Sequence, residues 1–334
     1  MKGRGKRIIY MILLLSLAVV AIIASLCIGE LSFSPLHLPD ILRNNGSMEQ
    51  QILLNLRLPR TLMAFAVGGS LSLCGVILQG IYRNPLVEPY TLGISGGASL
   101  GVTIAIVCGF SALSTMVLPL FGFAGAFVTI FIVYMLSITR GRSEINRMLL
   151  VGIMISFISS SMVMFLVSIT TAQKVHSIIF WTMGSLSESS NRVALSLVAL
   201  ALLTLAITYL FATPLNALRL GEDKARHLGI ETTSTIRWLF IITSLLTGSC
   251  IALAGVIGFV GLIVPQAARY LFGEDYKNLL AGSFITGSIF LVICDIIART
   301  IIYPNELPVG VITGIVGGVA FIIILSRSKK RRRG

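Results

Sequence analysis

Apolar segments long enough to cross a membrane recur along the whole chain, and both of its ends are basic. The chain begins with MKGRGKR and ends, at 327–334, with RSKKRRRG, and each group adjoins a long apolar run. Lys and Arg beside a membrane span stay on its cytoplasmic side. Both termini are therefore predicted to be cytoplasmic, which requires an even number of membrane crossings.

The composition is that of a membrane protein. The 334 residues are 55% hydrophobic and 12% charged, whereas a soluble domain has about 25% charged residues. Because the apolar runs continue throughout, we predict a single transmembrane domain, 1–334, with cytoplasmic tails at 1–7 and 327–334. The net charge of +13 falls in loops and tails, so membrane topology explains it better than nucleic-acid binding.

The number of spans depends on one ambiguous stretch, 238–272. A membrane-spanning helix needs about 20 apolar residues, and this stretch is too long for one and short for two. Four residues within it are expected to interrupt it: Gly255, Gly258, Gly261 and Pro265. If this stretch is one span, the chain has nine spans in total. If it is one full span and one short span, the chain has ten. The other candidate spans are 8–29, 61–81, 92–110, 117–138, 148–170, 193–213, 278–298 and 307–326.

The distribution of charge favours ten spans and an all-α bundle. With ten spans, only six of the 26 Lys and Arg residues lie outside: Arg43, Arg57, Arg60, Lys174, Arg192 and Arg299. The first run is interpreted as an uncleaved span, because its apolar core exceeds the 7–15 residues of a signal peptide. Two glycine repeats with a spacing of four, 93/97/101 and 310/314/318, predict close helix packing.

Few residues in the predicted spans could perform chemistry. Asp295 is the one clear acid within a span, and Arg299 follows on the same helical face. An intramembrane carboxylate suggests function, but a position near the outer helix end favours a structural ion pair. The three histidines fall in separate loops, and no metal site or pair of acids emerges. The chain is predicted to be no enzyme, to bind no cofactor and to be a conduit without its own energy source.

Two predicted cytoplasmic loops are unusual. In the first, Pro85 and Pro89 preclude a continuous helix. The second, 213–236, contains LRLGEDKARHLGI at 218–230, in which apolar residues recur at helical spacing and Gly221 and Gly229 mark stops. This pattern predicts a short amphipathic helix pair. From the pattern alone, docking into a partner's groove and a plain solvated connector both remain open.

Several motifs, taken in order, resemble one family. They are RLPRTL (57–62), NPLVEPYTLGISGGASLG (84–101), WTMGSLS (181–187), FVGLIVPQAARYLFG (259–273), DIIART (295–300) and ELPVGVITGIVGG (306–318). Together they resemble the FecCD-type permeases of iron-siderophore, haem and vitamin B12 ABC importers.

The resemblance implies the fold and partners of a type II ABC importer permease. Such a permease has ten spans and forms a homodimer with the translocation pathway at the interface. Two ATPase subunits bind on the cytoplasmic side and use ATP, and a periplasmic or lipid-anchored solute-binding protein docks outside. The expected location is a bacterial or archaeal cytoplasmic membrane.

The resemblance also implies roles for particular residues. Docking of the binding protein is expected at Arg57, Arg60 and Arg299. Coupling to the ATPase is expected at Gly221, Glu222, Ala225, Leu228 and Gly229. The cytoplasmic gate corresponds to Ile145 and Asn146, which differ from the small polar residues of the B12 branch. The family's signature loop supplies Asn84, Pro85, Glu88 and Pro89.

The resemblance does not fix the cargo. A ferric siderophore is favoured, because that branch of the family is the most populous; cobalamin is the second candidate and haem the third. A secondary transporter with inverted repeats is the alternative from another class, since AGVIGFVG (254–261) echoes CGVILQG (74–80).

Overall fold

The chain folds almost entirely into helices. The computed structural model describes residues 2–29, 31–44, 46–139, 142–143, 145–187, 190–302 and 305–331. The ends of the two predicted tails, Met1 and residues 332–334, lie outside this part. The α-helices are α1 (Lys2–Cys27), α2 (Leu38–Arg43), α3 (Met48–Ile52), α4 (Leu58–Tyr82), α5 (Ile94–Val107), α6 (Val117–Ser137), α7 (Ile145–Ser168), α8 (Ala172–Thr182), α9 (Asn191–Tyr209), α10 (Ala212–Leu218), α11 (Glu222–His227), α12 (Thr232–Ala254), α13 (Val260–Phe272), α14 (Tyr276–Thr300) and α15 (Val309–Arg331).

Ten of these helices are apolar, and they follow the order of the predicted spans. Seven are long and apolar enough to cross a membrane, namely α1, the run 48–82 that includes α4, α6, α7, α9, α12 and α14. Three more apolar helices are shorter, namely α5, α13 and the segment Val309–Ile323 of α15. The prediction of an all-α, ten-span bundle is confirmed.

The remaining elements are short. Single turns of 3-10 helix lie at Pro35–His37, Pro89–Leu92 and Phe110–Ala112, and a π-helical turn at Leu53–Arg57 joins α3 to α4. Strands β1 (Ile138–Thr139) and β2 (Arg142–Ser143) form a small antiparallel pair between α6 and α7.

The ambiguous stretch 238–272 is one long and one short helix, as predicted, but only part of the expected break is present. The helical hydrogen bonding stops at 255–259, where Gly255 has a φ of 70°. Gly261 and Pro265 were expected to break the chain and instead lie inside α13. Gly261 is needed there for a different reason, because a side chain at this position would collide with Pro89 and the Leu71 carbonyl.

Pro265 is tolerated because a side chain from α4 replaces its missing hydrogen bond. A proline within a helix leaves the carbonyl four residues earlier without its usual donor, and here that carbonyl belongs to Gly261. The side-chain amide of Gln79 donates to the Gly261 oxygen over 3.2 Å and to the Leu262 oxygen over 3.3 Å. Arg269 in turn donates to Gln79 Oε1 over 2.6 Å. Polar groups of α13 are therefore satisfied inside the bundle.

The centre of the bundle is α4, and its most extensive contacts are with α14. Small residues allow this approach, because a Cβ on Gly68 would overlap the Gly287 carbonyl. Ser72 Oγ lies 2.7 Å from Ser283 Oγ, and Ser288 Oγ donates to the Phe65 carbonyl over 2.8 Å. Helices in a bilayer associate through close packing and interhelical hydrogen bonds, and this pair has both.

The two predicted glycine repeats differ in what they contact. Gly97 and Gly101 of the first repeat pack against the backbone of α6, so the prediction of close packing is confirmed there. In the second repeat, Gly310 packs against Met183, but a Cβ on Gly314 or Gly318 would meet no atom of the described residues within 4 Å. The face of α15 that carries Gly314 and Gly318 is therefore not packed against the described part of the chain.

We predict that Gly75→Ala destabilises the bundle. The added methyl group would collide with the Gly261 backbone, which is itself held between α4 and Pro89. Such overpacking costs about 1–3 kcal/mol, so the melting temperature of the detergent-purified protein should fall. The matched control is Gly258→Ala, whose methyl group would meet no atom within 4 Å. Equal melting temperatures for the two variants would contradict this packing.

Candidate docking and coupling sites

The first candidate site is a charge cluster where α4 begins and α14 ends. Arg60 donates from Nε to Asp295 Oδ1 over 2.8 Å and from Nη1 to Glu306 Oε2 over 2.6 Å. Arg299 Nε lies 3.2 Å from Asp295 Oδ2, and its Nη2 donates to Ser25 Oγ over 2.8 Å. Asp295 therefore lies between two guanidinium groups, and the cluster joins α1, α4 and α14.

Arg57 is held beside this cluster by backbone carbonyls. Its Nη1 donates to the carbonyl oxygens of Leu26 over 2.7 Å and Cys27 over 3.1 Å, and its Nη2 donates to that of Leu31. Its guanidinium carbon also lies 4.4 Å from the centre of the Phe33 ring, in the geometry of a cation–π contact. Arg57 thus fixes the end of α1 against the start of α4.

The three arginines predicted for docking are close together but buried. Their exposed fractions are 6% for Arg57, 8% for Arg60 and 8% for Arg299. Asp295, Glu306 and the carbonyls at the end of α1 cover them, and their role in docking stays a prediction. Glu306, which is 44% exposed, is the open edge of the cluster. Sequence reasoning missed Glu306 as a partner of Arg60, although it begins the quoted ELPVG motif.

The second candidate site is the signature loop after α4. As predicted, it contains no continuous helix. Asn84 Oδ1 accepts a hydrogen bond from the Leu86 amide over 2.9 Å, and the Pro85 carbonyl accepts one from Gln266 over 2.9 Å. Pro89 begins a 3-10 turn and packs on Gly261. The loop therefore lies along α13.

Glu88 lies at the start of α13. Its carboxylate is close to the backbone of Phe259, the residue that precedes the helix. A negative charge is favourable at this position, because the first N–H groups of a helix carry partial positive charge. Phe259 has a φ of 69°, which few residues other than glycine adopt. Glu88 Oε2 is buried without a hydrogen-bond partner among the described residues, so one acceptor remains unused.

The third candidate site is the predicted cytoplasmic helix pair, and the structure places it slightly earlier in the chain. The two helices are α10 and α11, so only the second lies within 218–230. Gly221 lies between α10 and α11 as the N-cap of α11, and Gly229 follows the end of α11, with φ angles of 116° and 82°. Glu222, in the first turn of α11, accepts a hydrogen bond from Arg226 over 2.5 Å.

One of the five residues predicted to contact the ATPase does not lie on the exposed face of this segment. Ala225 was included among the contact residues, but it is fully buried and therefore offers no side-chain surface. Leu228 and Leu220 are 63% and 59% exposed. An apolar side chain exposed between charged neighbours is a candidate contact for another protein.

Two side-chain links join α10 to the turn before α14. Asn216 Nδ2 donates to Asp275 Oδ1 over 2.9 Å, and Asn216 Oδ1 accepts from the Tyr276 amide over 3.1 Å. Arg219 Nη1 donates to the Glu274 carbonyl over 2.8 Å and also pairs with the Glu274 carboxylate. Partial burial raises the pKa of the Asp275 carboxyl, but hydrogen bonds from Asn216 and Lys277 and nearby positive charges outweigh it, so the pKa lies below its ordinary value.

The two residues predicted to form the cytoplasmic gate lie at the start of a helix. Ile145 and Asn146 begin α7, with Ile145 half-buried and Asn146 exposed. They stay a prediction as a cytoplasmic gate. Among the described residues, no group of three or more His, Cys, Asp or Glu could hold a metal ion.

Comparisons with known proteins agree on one family. The model of the FecCD transport family matches residues 17–327. The hemin transport system permease of Yersinia pestis is 36% identical over all of both chains. The molybdate import permease of Haemophilus influenzae is 34% identical over 94% of each chain, and the vitamin B12 import permease of Salmonella paratyphi A is 33% identical over 95% of each.

A solved structure matches the whole architecture. It is an inward-facing metal-chelate type ABC transporter, with a TM-score of 0.84 and 32% identity over 94% of this chain and 97% of that one. The architecture described above is therefore that of a type II ABC importer permease.

We predict that Asp295→Asn strongly destabilises the protein. The change removes the charge that compensates two buried guanidinium groups, and breaking a buried ion pair in this way costs about 3–5 kcal/mol. The measurement is the free energy of unfolding in mixed detergent micelles. Asp40→Asn is the matched control, because the pair between Asp40 and His37 is exposed and should change stability little. Equal losses in the two variants would contradict the structural role of Asp295.

Proposed function

This chain belongs to the FecCD transport family and is an ABC importer permease, and we propose that it imports a ferric siderophore or a similar metal chelate. Hemin and vitamin B12, the cargoes of two relatives, are organic complexes of a metal, as is the cargo class of the solved transporter. The molybdate relative shows that family members also carry other cargo. Cobalamin is the second candidate and haem the third. Family membership replaces the alternative of a secondary transporter.

The proposed setting is a bacterial or archaeal cytoplasmic membrane, with residues 1–334 as one permease domain. Both basic tails, 1–7 and 327–334, and the coupling segment 213–236 would then be cytoplasmic. This orientation leaves six of the 26 Lys and Arg residues outside, in accord with the retention of basic residues on the cytoplasmic side. ATP would be used by two separate ATPase subunits.

The translocation pathway is proposed to lie between two copies of this chain. The face of α15 that carries Gly314 and Gly318 supports this, because none of the described residues packs on either glycine. Ile315, Val319 and Ile322 on the same helix are 62%, 55% and 69% exposed. Small residues flanked by apolar ones are typical of helix–helix contacts in membranes.

The observation that carries the proposal is the arginine cluster at the outer ends of α4 and α14. Arg60 and Arg299 share the Asp295 carboxylate, and Arg60 also pairs with Glu306, which is 44% exposed at the edge of the cluster. A binding protein with acidic residues on its two lobes would meet this edge twice on a homodimer. Because such charges steer encounter more than they add affinity, docking should be visible in the association rate.

We predict that Glu306→Gln accelerates docking of the binding protein. The change removes the carboxylate charge that pairs with Arg60 at the exposed edge of the cluster and leaves the buried contacts of Asp295 intact. The rate of association between purified binding protein and the reconstituted complex should rise about twofold or more and fall as salt is added. Reversing Arg57 or Arg60 would be a poorer test, because their burial would confuse docking with folding.

Glu231→Gln is the control for this experiment. Glu231 is exposed immediately before α12, within the coupling segment. Its replacement changes the net charge by the same amount on the predicted cytoplasmic side. If the association rate changes neither with Glu306→Gln nor with the salt concentration, the arginine cluster does not contribute to docking and only holds the helix ends together.

We predict that Leu228→Asp weakens binding of the ATPase subunits without unfolding the permease. An exposed apolar anchor at a protein interface contributes about 2 kcal/mol or more, so the affinity for the ATPase should fall at least about tenfold. Leu36→Asp is the matched control, because Leu36 is 85% exposed in the predicted outer segment. Cross-linking should start from Leu228 or Lys224, since Ala225 is buried. Unchanged affinity in Leu228→Asp would exclude this surface.

A further inference from the structure

One helix connects the two proposed partner surfaces. α14 runs without interruption from Tyr276 to Thr300, which is about 37 Å at a rise of 1.5 Å per residue. Its first turn adjoins α10 in the coupling segment, and its last turns carry Asp295 and Arg299 of the outer cluster. A displacement of either end of α14 is therefore transmitted along one continuous helix.

The packing of α14 on α4 keeps this element straight and in register. Gly68 and Gly287 are in mutual backbone contact, and a Cβ on either would overlap the other's carbonyl. The Ser72–Ser283 and Ser288–Phe65 hydrogen bonds fix the two helices along their length. Arg60 of α4 and Asp295 of α14 tie them again at the outer end. The two helices should move as one body, because a packed interface does not deform continuously.

Two hydrogen bonds of the Asn216 side chain, here called the clasp, connect this body to the coupling segment. Asn216 donates to the Asp275 carboxylate and accepts from the Tyr276 amide, so one side chain from α10 engages both residues at the start of α14. Asp275 also accepts from the Lys277 amide over 3.2 Å and so caps α14. The second link, between Arg219 and Glu274, has side chains 36% and 65% exposed, and exposed pairs contribute only about 0–1 kcal/mol.

We propose that Asn216 and Asp275 are positioning residues that transmit the signal of binding-protein docking to the ATPase. Docking at the outer cluster shifts the body formed by α4 and α14, and the clasp carries that shift to α10 and the coupling segment. The inference rests on the proposed function, because it needs a binding protein on one side and an ATPase on the other. It adds a physical connection between them through named residues.

The test is an exchange of the two side chains. Asn216→Asp removes the amide donor and places two carboxylates where a 2.9 Å hydrogen bond now lies. Asp275→Asn keeps an oxygen that can accept from Lys277 and Asn216. In the double variant, Asn216→Asp with Asp275→Asn, donor and acceptor are exchanged and both clasp bonds can form again, while the capping bond from the Lys277 amide, which uses the same oxygen of Asp275, is given up.

The measurement is ATP hydrolysis by the reconstituted complex with and without purified binding protein. Residues on a coupling path typically alter coupling by about 0.5–2 kcal/mol, so Asn216→Asp should reduce the stimulation by binding protein about fivefold. The stimulation is expressed as the ratio of the rates with and without binding protein for the same assembled complex, so that a change in the basal rate does not affect it. The double variant should regain at least about half of the stimulation. Asn278→Asp, which adds the same charge to the first turn of α14 and leaves the clasp unchanged, is the control.

The outcomes separate this inference from the function on which it rests. A wild-type complex that lacks ATPase subunits, or whose hydrolysis the binding protein does not stimulate, would overturn the proposed function and the inference with it. Stimulation that survives in Asn216→Asp would overturn the inference alone. A loss of basal hydrolysis in Asn216→Asp that the double variant does not restore would assign the clasp a purely structural role and overturn transmission.

Discussion

The close contact between α4 and α14 is the interaction on which the rest of the structure depends. Without a hydrophobic drive between helices in lipid, their association needs close packing and interhelical hydrogen bonds, and Gly68, Gly287 and the paired serines supply these. The pair brings Arg60 to Asp295 at one end and sets α14 beside α10 at the other. Both proposed partner surfaces are thus positioned by one pair of helices.

The irregular segments inside the bundle follow the same requirement. Non-helical backbone at membrane depth is tolerated only where protein satisfies its polar groups. Gln79 satisfies the carbonyl that Pro265 leaves open. The Tyr90 hydroxyl accepts a hydrogen bond from the Ile257 amide over 3.1 Å, and Glu88 lies beside Phe259, just before α13. The signature loop is therefore a support for the broken segment 255–259.

Sequence alone predicted the spans well, because apolar length and basic flanks are local signals. It also located the helix pair around Gly221, since glycine marks helix ends. It failed where the answer depends on distant residues: nothing near Arg60 indicates that Glu306, 246 positions away, covers it. The burial of Ala225 and the partner of Asn216 were missed for the same reason. The close crossing at Gly75 follows no glycine repeat of the kind that marks Gly97 and Gly101.

The most direct test of the central claim is cargo uptake by proteoliposomes that contain the permease, its ATPase and ATP, with binding protein outside. Labelled ferric siderophores of the hydroxamate and catecholate types are compared with cobalamin and hemin. We expect a ferric siderophore to accumulate inside the proteoliposomes only when both ATP and binding protein are present. Accumulation that persists without ATP, or uptake of cobalamin or hemin with no uptake of either siderophore, would contradict it.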